Sequence, residues 1–252
     1  RQAYIKTEDC YRMRLLLVQR RSLKRKFLDL ENTIRHSLKV FGIRLGSVGR
    51  TGFEQAVRKA VAADPVTAGV MECMLRARAA LWLEYLTLNK MVVQIAMRDE
   101  LCRRLMAIPG VGPVTALSFK SAIDDPKRFR RSRDVAAYFG LTSKRWQSGS
   151  SIDVQGRISK AGDPEVRRAL YEAASAMLTR FKGRDTIKTW GLHLAKTKCH
   201  AKARVAVARK LATVMHAMWT DGTCYVGDPD ASEADVAASW SAKEKRLSYA
   251  RS

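Results

Sequence analysis

Long apolar runs are missing from this 252-residue sequence. A helix that crosses a bilayer needs about 18–20 predominantly apolar residues in a row, and no stretch of the chain approaches that length. No secretory signal opens the sequence either. These two absences argue against a membrane-spanning or exported protein, so we expect a cytoplasmic one.

Closely spaced cysteine pairs are also missing. An odd, scattered set of cysteines is typical of reduced thiols, and it excludes a disulfide framework. The histidines add no zinc-binding spacing to the cysteines, so we predict small buried apolar thiols and no metal ligands. The residues concerned are Cys10, Cys73, Cys102, Cys199, Cys224, His36, His193, His200 and His216.

Acidic residues are scarce. The chain has 24 Asp and Glu against 47 Lys and Arg, which gives a formal net charge of +23. Such an excess repels itself in a compact protein unless a polyanion relieves it. Nucleic acid is the natural partner, because Lys and Arg that neutralise phosphates release counterions. An anionic membrane surface is the alternative.

Two long helical patterns fill residues 1–98. Apolar residues recur at three-, four- and seven-residue spacings up to Phe41, glycines interrupt the pattern, and a second long stripe follows Asp64-Pro65. An antiparallel coiled-coil hairpin is the favoured interpretation, and two helices of an ordinary bundle are the alternative. Arg78 interrupts the second stripe, so we expect its charged end to reach water.

Shorter helical patterns and more turn residues follow Asp99. We predict a mainly α fold: the helical hairpin of residues 1–98, a compact helical domain at 99–222 and a flexible tail at 223–252. The compact domain would contain a helix-hairpin-helix motif and a short loop or β-hairpin insertion.

The candidate helix-hairpin-helix turn is Gly110-Val111-Gly112, with Pro113 opening the next helix. Val111 would plug the core, and the two glycines would let backbone N–H groups approach a phosphate. The positive end of the following helix dipole would add to this attraction. Basic residues downstream support phosphate binding over the alternative, a plain Pro-Gly turn between packed helices.

A Ser- and Gly-containing stretch, residues 146–158, predicts a loop or a small hairpin. Asp163 suits the N-cap of the next helix, with Pro164 at its first position. Clustered cations around a serine would stabilise the charge of a phosphodiester transition state. Those cations are Lys144, Arg145, Arg157, Lys160, Arg167 and Arg168. Tyr138 and Trp146 are candidates for stacking on an unpaired base, with a core role favoured for Tyr138.

Four motifs resemble the C-terminal part of the insertion sequence 110 family of transposases, also called the 116/110/902 type. They are IPGVGPVTA at 108–116, AAYFGLTSKRWQSG at 136–149, GRISKAGDPEVRRALYEAA at 156–174 and AKARVAVARKLATVMHAMW at 201–219. The likeness spans roughly residues 10 to 222. It implies a transposase that moves an insertion sequence, works with a structured guide RNA and forms homo-oligomers through the coiled coil.

The resemblance also implies a serine nucleophile that becomes joined to DNA. Ser148 matches the serine of the family's Ser-Gly motif, and Ser150 and Ser151 stand close to it. Family members carry an upstream RuvC-like domain whose DEDD carboxylates bind Mg²⁺, and nothing before Tyr11 resembles it. We therefore expect no cofactor in this chain and further sequence upstream. The alternative function is a non-catalytic DNA- or RNA-binding protein from a truncated or decayed transposase gene.

Overall fold

A mainly α fold is confirmed by the computed structural model, which describes residues 4–148, 152–228, 230 and 241. The described residues form nine α-helices, one 3₁₀ helix (Pro126–Arg128) and one antiparallel pair of strands. The α-helices are α1 (Glu8–Lys39), α2 (Phe53–Val61), α3 (Pro65–Arg98), α4 (Glu100–Met106), α5 (Pro113–Ile123), α6 (Ser132–Tyr138), α7 (Pro164–Thr179), α8 (Thr186–Lys198) and α9 (His200–Asp221). The strands are β1 (Ser143–Ser148) and β2 (Ile152–Ile158).

The chain divides into two compact units. One comprises Leu15–Met91, and the other comprises Arg1–Arg14 together with Val92–Ser252. Our division of the sequence into residues 1–98, 99–222 and 223–252 stays a prediction. None of the helices in the described part of the chain has both the length and the apolar character to cross a membrane.

Within Leu15–Met91, α1 and α3 pack side by side in opposite directions. Arg20 donates from Nε to Asn89 Oδ1 at 2.8 Å. About two turns further along α1, the ring of Phe27 lies 4.9 Å from that of Trp82, which precedes Asn89 in α3. The two helices therefore run in opposite directions. The two helices form an antiparallel hairpin because their apolar stripes cover each other; a coiled-coil register stays a prediction.

Helix α2 was not predicted from the sequence. Its buried residues Phe53, Val57 and Val61 recur every four positions, which is a helical spacing, but the glycines that precede it obscured this pattern. These residues form a core with apolar side chains of α1 and α3 near the closed end of the hairpin. That core contains Ile34, Leu38, Met71 and Leu75.

Arg78 corrects one expectation, because its guanidinium does not reach water. It is buried, with 4% of its surface exposed, and donates from Nε to Glu31 at 2.8 Å and from Nη1 to Glu54 at 3.1 Å. Its Cζ also lies 4.7 Å from the ring centre of Phe27. Two carboxylates and an aromatic face compensate its charge inside the unit, so the side chain has no need to extend to solvent.

Helix α9 is the centre of the compact helical domain. It packs against α4, α6, α7, α8 and the 3₁₀ helix. One turn after another contributes buried side chains, among them Ala203, Val207, Leu211 and Met215. The spacing of three and four residues places them on one side of α9, which is why this helix can hold several others around it.

The first residues of the predicted flexible tail pack on the domain. Tyr225 is buried and donates a 2.6 Å hydrogen bond to Asp185 Oδ2, while the N–H of Thr186 donates to Gly227 O at 2.8 Å. Asp185 also caps α8 by accepting from the N–H of Lys188 at 2.9 Å. Burial and this hydrogen bond raise the pKa of Tyr225 well above its ordinary value. Beyond residue 228, the predicted tail lies outside the described residues except for positions 230 and 241.

The cysteines are only partly as predicted. Cys10 and Cys102 are buried, and burial raises the pKa of both thiols. Cys73, Cys199 and Cys224 are exposed, which contradicts the prediction of buried apolar thiols for these three. The scattered spacing of the cysteines does not determine which thiols the packed helices cover.

Candidate nucleic-acid interface

The predicted phosphate-binding turn lies between α4 and α5. Helix α4 ends at Met106, Gly112 is the N-cap of α5, and Pro113 is its first residue. Val111 is buried, as the prediction that it fills the core requires. The N-terminus of α5 therefore follows a tight turn whose apolar member points inward, which is the local arrangement that a helix-hairpin-helix motif needs.

The two glycines of this turn differ in their surroundings. Gly110 has a φ of +85°, and a Cβ at this position would lie 2.3 Å from the carbonyl oxygen of Ala173 in α7. Gly112 has a φ of −113°, and a Cβ there would meet no atom within 4 Å. Gly110 is thus required for close packing on α7, whereas Gly112 is the glycine whose open side leaves room for a ligand.

The serine stretch forms a β-hairpin, one of the two structures that the sequence predicted. Ser148 is the last residue of β1, and its backbone pairs with that of Ile152. Arg145 pairs with Gln155 but Ser143 pairs with Ile158, so β2 contains one extra residue near the base. Such a bulge bends a hairpin and increases its twist. The side chain of Ser148 and the whole of Ser150 and Ser151 lie outside the described residues.

Two glycines fasten the base of the hairpin to α6 and α7. Gly140 and Gly162 have φ values of +68° and +73°, and a Cβ on either would lie within 2.3 Å of a backbone oxygen. The N–H of Lys160 donates to Gly140 O at 3.1 Å. Arg167 Nη1 donates to the carbonyls of Phe139 and Ala161, each at 3.0 Å. Arg167 therefore ties the first turn of α7 to the hairpin base.

Asp163 is the N-cap of α7, which confirms that prediction. Its Oδ1 accepts from the N–H of Glu165 at 2.8 Å, and Pro164 is the first helical residue. Oδ2 of the same carboxylate pairs with Arg14 of α1. The cap thus carries two interactions at once, one with the helix that it starts and one with a residue 149 positions earlier.

The structure brings most of the predicted cationic residues to the hairpin and the start of α7. Lys144, Arg145, Arg157 and Lys160 are exposed, and Arg168 is half-exposed beside Glu165, with 3.7 Å between Nη1 and Oε1. An exposed cluster of this kind has a positive potential that attracts polyanions. The cluster is local, because its members follow one another along 144–168.

The glycine turn is not at the hairpin. Gly110 contacts α7 at Ala173 and Met177, whereas the hairpin base lies at the start of the same helix near Asp163. Ten residues of α-helix separate Asp163 from Ala173, which corresponds to about 15 Å. On one DNA strand this distance corresponds to about four phosphates at 3.4 Å per step. The two candidate contacts are therefore separate points along α7.

Asp124, the C-cap residue of α5, makes a set of contacts that was not predicted from the sequence. Its carboxylate accepts hydrogen bonds from Tyr4 Oη at 2.8 Å, from Thr7 Oγ1 at 2.7 Å and from Cys10 Sγ at 3.0 Å. The N–H of Thr7 donates to the same carboxylate. No signal in the sequence could have found these partners, because they lie more than 110 positions away.

These contacts lower the pKa of Asp124 and raise that of Tyr4. Burial alone would raise the pKa of Asp124, but the hydrogen bonds from Cys10, Thr7 and Tyr4 outweigh it and lower that pKa well below its ordinary value. The hydrogen bond to Asp124 raises the pKa of Tyr4 to about 12. The carboxylate is thus ionised at neutral pH, and it holds the start of α1 against the end of α5.

Lys6 extends the same contact. Its Nζ donates to Ser121 O at 3.0 Å and to Ala122 O at 2.7 Å, two carbonyls of the last turn of α5. Burial lowers the pKa of the Lys6 ammonium. A cation on the carbonyl end of a helix interacts favourably with the helix dipole, so Lys6 stabilises the terminus that the chain itself leaves unsatisfied.

Tyr138 is not in the core, contrary to the role that we favoured. It is 36% exposed, and its ring contacts Phe129 and Phe139 at centre distances of 5.1 and 5.3 Å. It ends α6, where the helix surface meets solvent. The side chain of Trp146, the other predicted stacking residue, lies outside the described residues.

Carboxylates and other metal ligands do not cluster in the described part of the chain. Among those residues, no group of three or more His, Cys, Asp or Glu side chains could hold a metal ion. The described residues therefore do not fit a DEDD metal centre.

The sequence profile of the Transposase IS116/IS110/IS902 family matches residues 102–190, which include the glycine turn, the hairpin and α7. Longer similarities extend on both sides of this region. A putative transposase of Sinorhizobium fredii (y4pF/y4sB) is 30% identical over 227 residues, which cover 88% of this chain and 58% of the relative. The transposase for insertion sequence element IS1111A of Coxiella burnetii is 30% identical over 228 residues, or 87% of this chain and 62% of the relative.

A third relative has a different named role. The pilin gene-inverting protein of Moraxella bovis is 31% identical over 115 residues, which cover 45% of this chain and 35% of that protein. The chain spans about three fifths of the length of the two transposases named above. The family profile covers the glycine turn and the hairpin, and together with the two transposases it shows that the chain belongs to the IS116/IS110/IS902 family of transposases.

Proposed function

We propose that this chain is the DNA-binding and strand-transfer portion of a transposase that moves an insertion sequence. The observation that carries the proposal is the pair of strands: Ser148 is the last residue of β1, and exposed Lys144, Arg145 and Arg157 lie on β1 and β2. A serine on a cationic strand pair supplies the groups that attack on a DNA phosphodiester requires.

The proposed reaction is a transesterification. Ser148 Oγ forms a bond to phosphorus, the bond from phosphorus to a deoxyribose oxygen breaks, the serine proton passes to solvent, and the leaving sugar oxygen takes up a proton. The phosphodiester energy is conserved in the serine–DNA bond, so a second DNA hydroxyl can later displace the serine. The guanidinium and ammonium groups stabilise the charge on the phosphoryl oxygens in the transition state.

DNA binding in this proposal uses the backbone rather than the bases. Gly112 and the N-terminus of α5 would hold one phosphate, and the cations of the hairpin and of α7 would hold others about four steps away along a strand. Such contacts fix position without reading sequence. Base pairing with a structured guide RNA would then supply the target choice, and the hairpin of α1 and α3 would join copies of the chain. The nucleoid is the corresponding location in the cell.

Covalent capture tests the serine. The protein is expressed from its complete gene with an affinity tag, cells are lysed in SDS, and the DNA that stays with the denatured protein is measured. We expect DNA to stay with the wild type and with Ser143→Ala, a control at the exposed base of the same hairpin. Ser148→Ala should retain none, although its DNA affinity in native buffer should be unchanged.

Two outcomes contradict the proposal. If adducts persist in Ser148→Ala and disappear in a Ser150→Ala/Ser151→Ala double variant, the nucleophile is assigned to the wrong serine. If the wild type binds DNA in native buffer but retains none in SDS, the second candidate function is correct: a DNA- or RNA-binding protein without strand-transfer chemistry. The exposed cations of the hairpin and of α7 support that second candidate, because positive charge alone suffices to bind nucleic acid.

A further inference from the structure

A second candidate surface consists of Tyr4, Arg128, Phe129 and Tyr138, and we call it the aromatic surface. Tyr4 precedes α1, Arg128 ends the 3₁₀ helix, Phe129 follows it, and Tyr138 is the last residue of α6. Tyr4 is 44% exposed and Tyr138 is 36% exposed. Exposed aromatic rings that occur singly need no explanation. Here two exposed tyrosines share one guanidinium between them.

Arg128 connects the two rings. Its Cζ lies 3.7 Å from the ring centre of Tyr4 and 5.7 Å from that of Tyr138. A hydrogen bond from Nη1 to Ile123 O, at 2.9 Å, holds the guanidinium in place. Tyr4 is fixed at its other end by the hydrogen bond from its hydroxyl to Asp124. The Arg128 guanidinium thus lies close to both tyrosine rings, and hydrogen bonds hold Arg128 and Tyr4 in place.

Phe129 connects the aromatic surface to the buried His216 of α9. The ring of Phe129 stands edge-on to Tyr138, at 5.1 Å, and edge-on to His216, at 5.6 Å. The buried His216 places Nε2 3.0 Å from Pro126 O and Nδ1 3.0 Å from Ser132 Oγ, so both ends of the loop are tied to α9. A preorganised surface loses little conformational entropy when it binds.

Exposed cations neighbour Arg128 and Phe129 along the chain. Lys127, Arg130 and Arg133 are exposed, and Arg131 is exposed beside Asp134, with 3.2 Å between Nε and Oδ2. The nearby carboxylates are engaged: Asp124 holds Thr7, and Asp125 caps the 3₁₀ helix by accepting from the N–H of Lys127. Rings that can stack and cations that can pair with phosphate thus occur on one stretch of surface.

We propose that the aromatic surface binds an unpaired DNA base, with Tyr138 stacking on the base and the surrounding cations contacting the adjoining phosphates. This inference rests on the proposed function, because exchange of strands between duplexes requires bases to leave their pairing partners. Aromatic and guanidinium planes are the groups on which unpaired bases stack in proteins. The bases of an intact duplex are stacked on each other, so their faces are not available to Tyr138.

Binding of single-stranded and duplex DNA by the whole chain tests this. Fluorescein-labelled oligothymidylate and a duplex of equal length are titrated and followed by anisotropy. Tyr138→Ala should raise the dissociation constant for oligothymidylate about tenfold and that for the duplex less than about twofold. Tyr138→Phe keeps the ring and should bind like the wild type. Since tyrosine is uncharged, the dependence of binding on salt concentration should not change.

Trp190→Ala is the matched control, because Trp190 is another exposed aromatic residue of the same unit, on α8. It should leave both dissociation constants unchanged. The proposal is overturned if Tyr138→Ala does not weaken oligothymidylate binding, or weakens duplex binding equally. It is also overturned if only oligouridylate binding depends on Tyr138, since the surface would then bind RNA instead. Ser148→Ala should bind oligothymidylate normally, so failure here is distinct from failure of the serine chemistry.

Cross-linking of the wild-type chain tests the proposal independently of whether Tyr138→Ala folds. Oligothymidylate that carries 5-iodouracil is irradiated with the protein, and the attached peptide is identified by mass spectrometry. We expect attachment at Tyr138 or Tyr4. Attachment only at other residues would contradict the proposal even if the alanine variant proved unstable.

Discussion

Asp124 accepts two hydrogen bonds from Thr7, one from its N–H at 2.8 Å and one from its hydroxyl at 2.7 Å. The two residues are 117 positions apart. Together with Tyr4, Lys6 and Cys10, this contact fastens the residues before and at the start of α1 to the end of α5. A carboxylate at the end of one helix thus holds the residues that precede another helix.

Replacing Asp124 with Asn should release this contact. The amide keeps the size of the side chain and tolerates the φ of +66° at this position, but it has one acceptor oxygen and no charge. Hydrogen bonds to a charged group contribute about 1.5–3 kcal/mol each, so we expect the local stability of residues 4–10 to fall by about that amount.

Hydrogen exchange of the Thr7 amide measures the effect. Asp9→Asn is the control, because Asp9 is exposed and pairs only with Arg12 among the interactions described here. Unchanged protection of Thr7 in Asp124→Asn would show that the carboxylate does not hold the segment.

Acid and base should loosen the same contact from opposite directions. The pKa of Asp124 is lowered in the folded protein, so its contribution is complete above the ordinary carboxyl range near pH 4 and is lost as the pH falls through the folded value. The pKa of Tyr4 is raised to about 12, so its contribution is complete below pH 10 and is lost as the pH rises towards 12. The ultraviolet phenolate titration of the wild type minus that of Tyr4→Phe should have its midpoint near 12, and a midpoint near 10 would contradict the contact.

Truncating Arg78 should destabilise the unit Leu15–Met91. Arg78→Ala leaves Glu31 and Glu54 without their cation, and loss of one partner from a buried ion pair costs about 3 kcal/mol or more. Arg78→Met should cost less than Arg78→Ala, because its longer side chain retains part of the packing on Phe27 and Phe53.

Urea unfolding, with hydrogen exchange to assign the change to this unit, is the measurement. The control is Arg58→Ala, since Arg58 pairs with Glu72 on the surface, and its midpoint should equal that of the wild type. Equal midpoints for Arg78→Ala and Arg58→Ala would mean that the buried ion pairs of Arg78 stabilise the unit no more than the surface pair of Arg58 does.

The two glycines of the candidate phosphate turn should respond oppositely to alanine. Gly110→Ala requires a left-handed residue with a Cβ and forces the turn away from Ala173, so it should cost about 2 kcal/mol or more. Gly112→Ala meets no neighbour and should leave stability within about 0.5 kcal/mol. If Gly112 contacts phosphate, that same variant should weaken duplex binding. Thermal melting and anisotropy separate the two effects, and normal DNA binding by a stable Gly112→Ala would remove this turn from the interface.

DNA affinity should depend steeply on salt. If about six or more phosphates are contacted, the association constant should fall about a thousandfold or more between about 50 and 200 mM salt. Lys144→Gln and Arg157→Gln, both exposed on the hairpin, should each reduce the slope of log affinity against log salt by about one. Lys198→Gln, at the exposed end of α8, should leave the slope unchanged. A flat salt response of the wild type would contradict phosphate binding.

Some features of this protein could be predicted from the sequence because their causes are local. The three- and four-residue spacing of apolar side chains predicted α1 and α3, and Asp163-Pro164 predicted the start of α7. The same local patterning failed at α2, where neighbouring glycines masked a nine-residue helix. Net charge needs no structure at all, and it pointed to a polyanionic partner.

Other features depended on contacts between residues that are far apart in sequence. Arg78 is buried because Glu31 and Glu54 converge on it, and nothing in the stripe around Arg78 specifies those partners. Gly110 is needed for its approach to α7, and Tyr138 is exposed although the next residue, Phe139, is buried. Periodicity along the chain determines helices and their apolar faces, since it depends on backbone geometry alone. Which faces meet, and which charged groups are thereby enclosed or left in solvent, is decided only when the helices pack.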